Sequence, residues 1–329
     1  MDAIKPAEEA CSPEAVAARK KSLILGPLLM CSSALSLALV ASLIKWASQG
    51  FSTEFILAMR YGVSLFILLA LHSKDFLDHL AAVLRPSLLM LQAVCYVSAT
   101  FVFYLSIRYV PLVDAFLLVN SATFFAPLFS WLIFKKPERP LVWLGIAIGM
   151  TGVALVLRPG AEGFRAAGLL ALAAGALGGM QFAINAKIIE SEGKDRIAVA
   201  VQFYGVVMAG IATLFVGVDV ADWQQMLFSK PEWAKPWLEI PTLAAAALAA
   251  GGLSMLIAML SASAYKFGSV GQITPFVYTS IIFSGLIGWL IWGTVPTLLT
   301  LLGFVLIVSG GIGALLGGRQ PQPHETCQV

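Results

Sequence analysis

The feature that most constrains this chain is a series of apolar stretches that follow one another with only short polar connections. Each stretch is about 20 residues long, which is the length of helix that crosses the hydrocarbon core of a bilayer. Backbone amides cannot be left unpaired in lipid, so such stretches must be helical. The pattern therefore predicts an all-α integral membrane protein.

We place about ten transmembrane helices along the chain. The predicted spans cover residues 23–46, 54–71, 87–107, 113–134, 140–158, 166–188, 197–217, 241–264, 270–292 and 296–317. Only 12% of the residues are charged and 59% are hydrophobic, so lipid rather than water must face much of the surface.

Basic residues decide the orientation in the membrane. Ten spans place both termini on one side, and two thirds of the 21 Lys and Arg residues fall in segments on that same side. Loops rich in Lys and Arg resist translocation, so this side is expected to be the cytoplasm. We therefore expect a multi-pass protein of the cell's inner membrane with both termini cytoplasmic.

The chain also repeats itself at a constant spacing. Residues 108–152 align without a gap with residues 266–310. The matched pairs include Trp131 with Trp289, Gly145 with Gly303, Gly152 with Gly310 and, nearer the start of each copy, Lys45 with Lys187. Five spans per copy is an odd number, so the second copy must enter the membrane upside down. Inverted repeats are typical of secondary transporters, because two like halves can exchange shapes around one central site.

The repeat divides the chain into four segments. Residues 1–22 form a cytoplasmic N-terminal tail, 23–158 a first five-helix repeat, 159–317 a second five-helix repeat, and 318–329 a cytoplasmic C-terminal tail.

Each repeat ends in a helix rich in small residues, LVWLGIAIGMTGVALVL at 141–157 and LTLLGFVLIVSGGIGALL at 299–316. Two five-helix units with these endings resemble the EamA-type transporters of the drug/metabolite transporter superfamily. The resemblance implies the transporter fold and the movement of a small metabolite. This chain departs from the family where a Gly-Glu pair is common, since it has Lys135-Lys136 and Gly293-Thr294 there. No role for that glutamate is carried over.

Polar residues inside the spans are candidates for substrate binding. Arginine at a helix centre costs roughly 2.5–3.5 kcal/mol on insertion scales, so Arg60 must either bind carbonyls of a neighbouring helix or face the substrate. Amides in the spans either hydrogen-bond between helices or line a cavity. The candidate substrate-binding residues are Arg60, Asn120, Gln181, Asn185, Tyr204 and Tyr278, with Gln92, Tyr96, Gln202, Ser254 and Gln272 as weaker candidates. Because no acidic residue lies deep beside Arg60, we expect a solute that carries a carboxylate, such as an amino acid, or another anion.

Motifs for other functions are not found in the sequence. It has no HExxH, no GxSxG and no phosphate-binding loop, so we expect neither an enzyme nor ATP hydrolysis. The four cysteines and three histidines lack ligand spacing, so we expect no metal and no cofactor. The net charge of +3 is scattered, which argues against nucleic acid.

These observations favour a carrier whose partners are a small-molecule substrate and the lipid bilayer, working as a monomer or homodimer. A membrane receptor, a scaffold, or an enzyme without a recognisable motif is the alternative, but none of these requires an inverted repeat. Acidic residues fall in tails, loops or span ends, which predicts facilitated diffusion or exchange rather than proton coupling.

Overall fold

The computed structural model describes residues 13–48, 52–71, 83, 87–135, 139–158, 167–215, 239–264, 266–267 and 273–318. Within these residues the regular elements are helical, which confirms the all-α prediction. The α-helices are α1 (Pro13–Ala47), α2 (Thr53–Leu71), α3 (Leu88–Ser106), α4 (Leu112–Val119), α5 (Ala122–Phe134), α6 (Pro140–Leu157), α7 (Ala167–Phe215), α8 (Glu239–Ala264), α9 (Thr279–Trp292) and α10 (Leu298–Gly318). A 3₁₀ turn, Thr274–Tyr278, precedes α9.

The helices lie where the apolar stretches predict spans. Among the described residues, eight segments are long and apolar enough to cross a bilayer, and shorter apolar helices cover Leu248–Ser261 and Leu298–Ala314. Helix α7 contains two of the spans, which meet near Gly193 at φ 77 and ψ 162. A positive φ of this kind suits glycine, because it has no Cβ. Most of both predicted tails lies outside the described residues.

Each half of the chain has one span that is interrupted. In the first half, α4 ends at Val119 and α5 begins at Ala122. In the second half, the 3₁₀ turn ends at Tyr278 and α9 begins at the next residue. Asn120 and Tyr278 are matched in the sequence repeat, so the interruptions occur at equivalent places. The backbone keeps right-handed helical φ and ψ angles through both places, so each span tightens locally without unwinding.

Helices α6 and α10 pack along each other through glycines that the repeat relates. A Cβ added at Gly145 would lie 2.7 Å from the carbonyl oxygen of Gly310, and one added at Gly303 would lie 3.0 Å from that of Gly152. Gly145 matches Gly303 and Gly152 matches Gly310, so the two contacts are images of each other. Reciprocal contacts of this kind are produced by a two-fold relation, which agrees with two inverted five-helix units.

The centre of the molecule is an interface between the two halves. Helix α2 packs against both α7 and α8. The Ser64 hydroxyl donates to the carbonyl oxygen of Gly251 at 3.0 Å, and a Cβ at Gly251 would lie 2.8 Å from the Val63 Cβ. This close approach brings Arg60, one turn earlier in α2, opposite Ser254 of α8.

Candidate functional site

Arg60 lies at the contact between the two halves. Its side chain is buried, with 6% of the residue exposed. Its Nε–H donates to the Ser254 hydroxyl at 2.6 Å. The guanidinium carbon lies 4.9 Å from the centre of the Tyr61 ring and 5.4 Å from that of Tyr104. Aromatic faces attract a cation, so Arg60 is held by one hydroxyl and two rings.

These contacts leave part of the guanidinium unused. The Arg60 Nη1 and the neighbouring Tyr61 hydroxyl are buried and have no hydrogen-bond partner within 3.5 Å, with Tyr96 near Arg60 and Thr100 near the Tyr61 hydroxyl as longer polar contacts. Among the described residues, no carboxylate pairs with Arg60. A guanidinium has five N–H donors and binds carboxylates through two of them at once. The described contacts of Arg60 therefore leave hydrogen-bonding capacity of the guanidinium unused.

Asn120 and Tyr278 are brought together through Thr123. The Thr123 hydroxyl lies 2.9 Å from the carbonyl oxygen of Asn120, to which it donates, and 3.0 Å from the Tyr278 hydroxyl. The Asn120 amide donates to the carbonyl oxygen of Phe116 at 2.7 Å. Gly311 of α10 leaves room for the Tyr278 ring, because an added Cβ would overlap its hydroxyl. The two interrupted spans are thus joined by hydroxyls at their breaks.

The remaining predicted site residues occupy α7. Gln181 is buried, and the Asn185 side-chain oxygen is buried without a partner. Neither residue hydrogen-bonds to Arg60, Asn120 or Tyr278 in the part of the chain that the structure describes. Tyr204 donates its hydroxyl to the carbonyl oxygen of Val83 at 3.0 Å. The six predicted residues therefore do not make one hydrogen-bonded cluster.

A cavity of about 270 Å³ lies between α2, α3 and the second part of α7. It is lined by Leu57, Tyr61, Val97, Ser98, Phe101, Val102, Met208, Ala209 and Ala212. Tyr61 belongs both to this wall and to the surroundings of Arg60. The sequence analysis did not select Tyr61, although Tyr61-Gly62 aligns with Tyr204-Gly205 in the repeat and Tyr204 is among the selected residues.

Two lysines at the ends of spans make matching contacts. The Lys45 ammonium lies 5.3 Å from the centre of the Trp292 ring, and the Lys187 ammonium lies 4.6 Å from that of Phe134. Lys45 matches Lys187 and Phe134 matches Trp292 in the repeat, so the pairs are images of each other. Between the end of α1 and the end of α5 the chain crosses the membrane three times: through α2, through α3, and through α4 together with α5. The two pairs therefore lie at opposite faces of the membrane.

The two lysine pairs differ in one respect. Lys45 also donates to the carbonyl oxygen of Val110 at 3.0 Å, which links α1 to the connection before α4. Lys187 is exposed, whereas Lys45 is partly buried. Gly268, which the repeat matches to Val110, lies outside the described residues.

Comparison with known proteins identifies the family. The profile of the EamA-like transporter family matches residues 24–158 and again residues 166–316. The chain belongs to this family. It is a multi-pass membrane transporter and not an enzyme, as the sequence predicts.

Curated relatives of this transporter are distant in sequence. The pseudopaline exporter of Pseudomonas aeruginosa is 27% identical over 208 residues, which are 63% of this chain and 66% of the exporter. The chain thus spans just under two thirds of that relative's length. The riboflavin transporter of Vibrio cholerae is 24% identical over 303 residues, 86% of this chain and 90% of that protein. One crystal structure, at 16% identity, matches with a TM-score of 0.52 over 90% of this chain and 98% of the other, which supports the fold alone.

Proposed function

We propose that this EamA-family transporter is a secondary carrier that moves a small organic solute bearing a carboxylate or another anionic group. The observation that carries the proposal is Arg60, a buried cation with an unused donor and no carboxylate partner among the described residues. Burying an unpaired charge is unfavourable, so such a group in a membrane span is a functional-site hypothesis by default. An anionic solute supplies the missing partner.

The cargoes named for the relatives, pseudopaline and riboflavin, belong to those proteins. At 24–27% identity neither is transferred to this chain. We therefore state the substrate only by the chemistry that Arg60 recognises, as a small organic anion.

Alternating access is the mechanism that the symmetry favours. The pairs Lys45–Trp292 and Lys187–Phe134 are matched by the repeat and lie at opposite faces of the membrane. In alternating access, one pair would separate while the other forms. The link between Thr123 and Tyr278 joins a span of the first half to its equivalent in the second half. A small change at each face is then sufficient to open one side while the other is closed.

We expect transport without proton coupling, because the described spans offer no carboxylate free to titrate in their middle. Asp114 and Glu54 lie in the first turns of α4 and α2, and the Thr300 hydroxyl donates to Asp114 Oδ1 at 3.1 Å. Counterflow of labelled organic acids in proteoliposomes is expected to proceed with no pH gradient. Neutral solutes of equal size and protein-free liposomes are the controls. Uptake that appears only with an imposed pH gradient, and collapses with a protonophore, would contradict this prediction.

We also propose that both termini are cytoplasmic in the inner membrane, on the basis of the Lys and Arg distribution. In a variant without native cysteines, Ser191→Cys is expected to react with an impermeant maleimide only after the membrane is permeabilised. Val295→Cys, at an exposed position between α9 and α10, is expected to react in intact cells. The reverse labelling pattern would invert the topology and refute the assignment.

A further inference from the structure

Hydrogen bonds of the 3₁₀ type occur at matched places in the two halves. In the first half, three backbone amides between residues 118 and 124 donate to carbonyl oxygens three residues earlier, at 2.8–3.2 Å. In the second half, the 3₁₀ turn Thr274–Tyr278 leads directly into α9. A short 3₁₀ stretch inside a helix often marks a hinge. We call residues 118–124 the first hinge and residues 276–282, which the repeat matches to them, the second hinge.

A chain of hydroxyl groups runs from the second hinge to the first. The Thr123 hydroxyl donates its one hydrogen to the carbonyl oxygen of Asn120 at 2.9 Å. The Tyr278 hydroxyl, 3.0 Å from the Thr123 oxygen, is therefore the donor in that contact. The Asn120 carbonyl also accepts the Thr123 backbone amide at 3.2 Å, which is one of the 3₁₀ bonds of the first hinge. The Tyr278 side chain thus bears on the group that shapes the other hinge.

Gly311 of α10 makes room for the Tyr278 ring. A Cβ added at Gly311 would overlap the Tyr278 hydroxyl and would lie 2.6 Å from the ring Cζ. Tyr278 is buried, with 4% of the residue exposed, so the ring has little space into which it could move. The repeat matches Tyr278 with Asn120 and, one position beyond the aligned block, Gly311 with Val153. The large and the small residue of the pair have therefore exchanged places between the halves.

Coupling between distant elements is carried by packed side chains and hydrogen bonds that connect them. We propose that Gly311 is a positioning residue that holds the Tyr278 hydroxyl against Thr123, and that this hydrogen bond couples the two hinges. A change of helix geometry at one hinge then alters the other, so that both spans change in the same step of transport. The inference rests on the alternating access proposed above and needs no assumption about the solute.

Amide hydrogen exchange of the purified full-length protein, measured by mass spectrometry in peptides that cover each hinge, tests the coupling. Tyr278→Phe keeps the ring and removes the donor, so exchange in the first hinge is expected to rise about fivefold, as loss of one neutral hydrogen bond implies. Thr123→Val is expected to raise exchange in the second hinge by a similar factor. Thr151→Val is the matched control, because the Thr151 hydroxyl donates within its own helix to Ala147. An increase confined to the hinge that carries the substitution would overturn the coupling.

A second pair of variants tests the role of Gly311. Gly311→Val is expected to lower the midpoint of thermal unfolding and to raise exchange in both hinges, because the added side chain displaces the Tyr278 ring. Combining it with Tyr278→Asn recreates the pair of the first half, so we expect most of the lost midpoint to return while exchange in the first hinge stays raised. Gly311→Ala replaces Gly311→Val in both measurements if the valine variant does not fold.

Gly313→Ala is the control on the same helix, because a Cβ at Gly313 would make an ordinary contact with the Gly145 Cα at 3.8 Å. If Tyr278→Asn recovers none of the lost midpoint, or if Gly313→Ala is as damaging as Gly311→Ala, Gly311 does not position Tyr278.

These measurements need no substrate, so their outcome is separate from that of the anion proposal. If Arg60→Ala transports normally and Tyr278→Phe still loosens the first hinge, the coupling stands and the anion proposal fails. If Arg60→Ala abolishes transport while each hinge responds only to its own substitutions, the anion proposal stands and the coupling is wrong.

Discussion

Arg60→Ala is expected to reduce transport of an organic anion by at least tenfold per molecule in the membrane. A hydrogen bond to a charged group contributes about 1.5–3 kcal/mol, which corresponds to roughly 10- to 150-fold in affinity. Arg60→Lys keeps the charge but loses the planar fork, so we expect an intermediate loss. The measurement is initial uptake divided by the amount of folded protein, determined by quantitative immunoblot and size-exclusion profile.

Two further variants separate substrate binding from structure. Ser254→Ala removes the acceptor of the Arg60 Nε–H without touching the charge, so it is expected to affect transport less than Arg60→Ala. Arg108→Ala removes an exposed arginine at the end of a span and is expected to leave uptake unchanged. If the abundance of Arg60→Ala falls in proportion to its activity, Arg60 serves to hold α2 against α8 and the anion hypothesis is lost.

The spans could be predicted because hydrophobic length is a local property of the chain. Residues 140–158, for example, correspond to the span Pro140–Leu157, and residues 113–134 to Leu112–Phe134. The interruption of the latter span near Asn120 was not predicted, since α4 and α5 are both apolar and no proline separates them. The sequence analysis selected Asn120 and Tyr278 because they are polar residues within spans. It did not predict that the helix geometry changes there.

Partners across the two halves could not be predicted from the sequence. Arg60 and Ser254 are 194 residues apart, and their contact depends on how closely α2 crosses α8 at Gly251. The sequence alone did not decide whether Arg60 has a structural or a substrate-facing role. The structure adds that its Nη1 lacks a hydrogen-bond partner beside Tyr61. Tyr204 was selected for its polarity, yet its hydroxyl has a backbone partner.

The sequence indicates that Lys45 and Lys187 anchor helix ends at the membrane surface, because each lies at the end of the first span of its repeat. Their aromatic partners become visible only when α1 is placed beside α9 and α7 beside α5. The repeat matches Val110, the additional partner of Lys45, with Gly268. Exchange of conformations between the halves would weaken the contacts of one lysine while it strengthens those of the other. This exchange leads to a prediction with opposite signs for the two lysines.

Lys45→Gln is expected to open the face that holds Lys45, and Lys187→Gln is expected to close it further. The reporter is Thr123→Cys in a protein without native cysteines, alkylated by an impermeant maleimide from the Lys45 face. An exposed cation–π contact contributes about 0.5–1 kcal/mol. A hydrogen bond from a charged donor adds about 1.5–3 kcal/mol. Loss of both contacts at Lys45 should raise the alkylation rate at least tenfold, since each 1.4 kcal/mol is a factor of ten in an equilibrium.

Lys187→Gln removes the cation–π contact with Phe134, a loss that corresponds to a decrease of roughly two- to fivefold. Trp292→Leu should raise the rate by a similar factor, while Trp292→Phe keeps a ring beneath Lys45 and should change it less. Lys135→Gln is the charge-matched control, because Lys135 is an exposed lysine directly after Phe134. Shifts of the same sign for Lys45→Gln and Lys187→Gln would show that the lysines only anchor their helices, since contacts exchanged between opposite faces must bias the equilibrium in opposite directions.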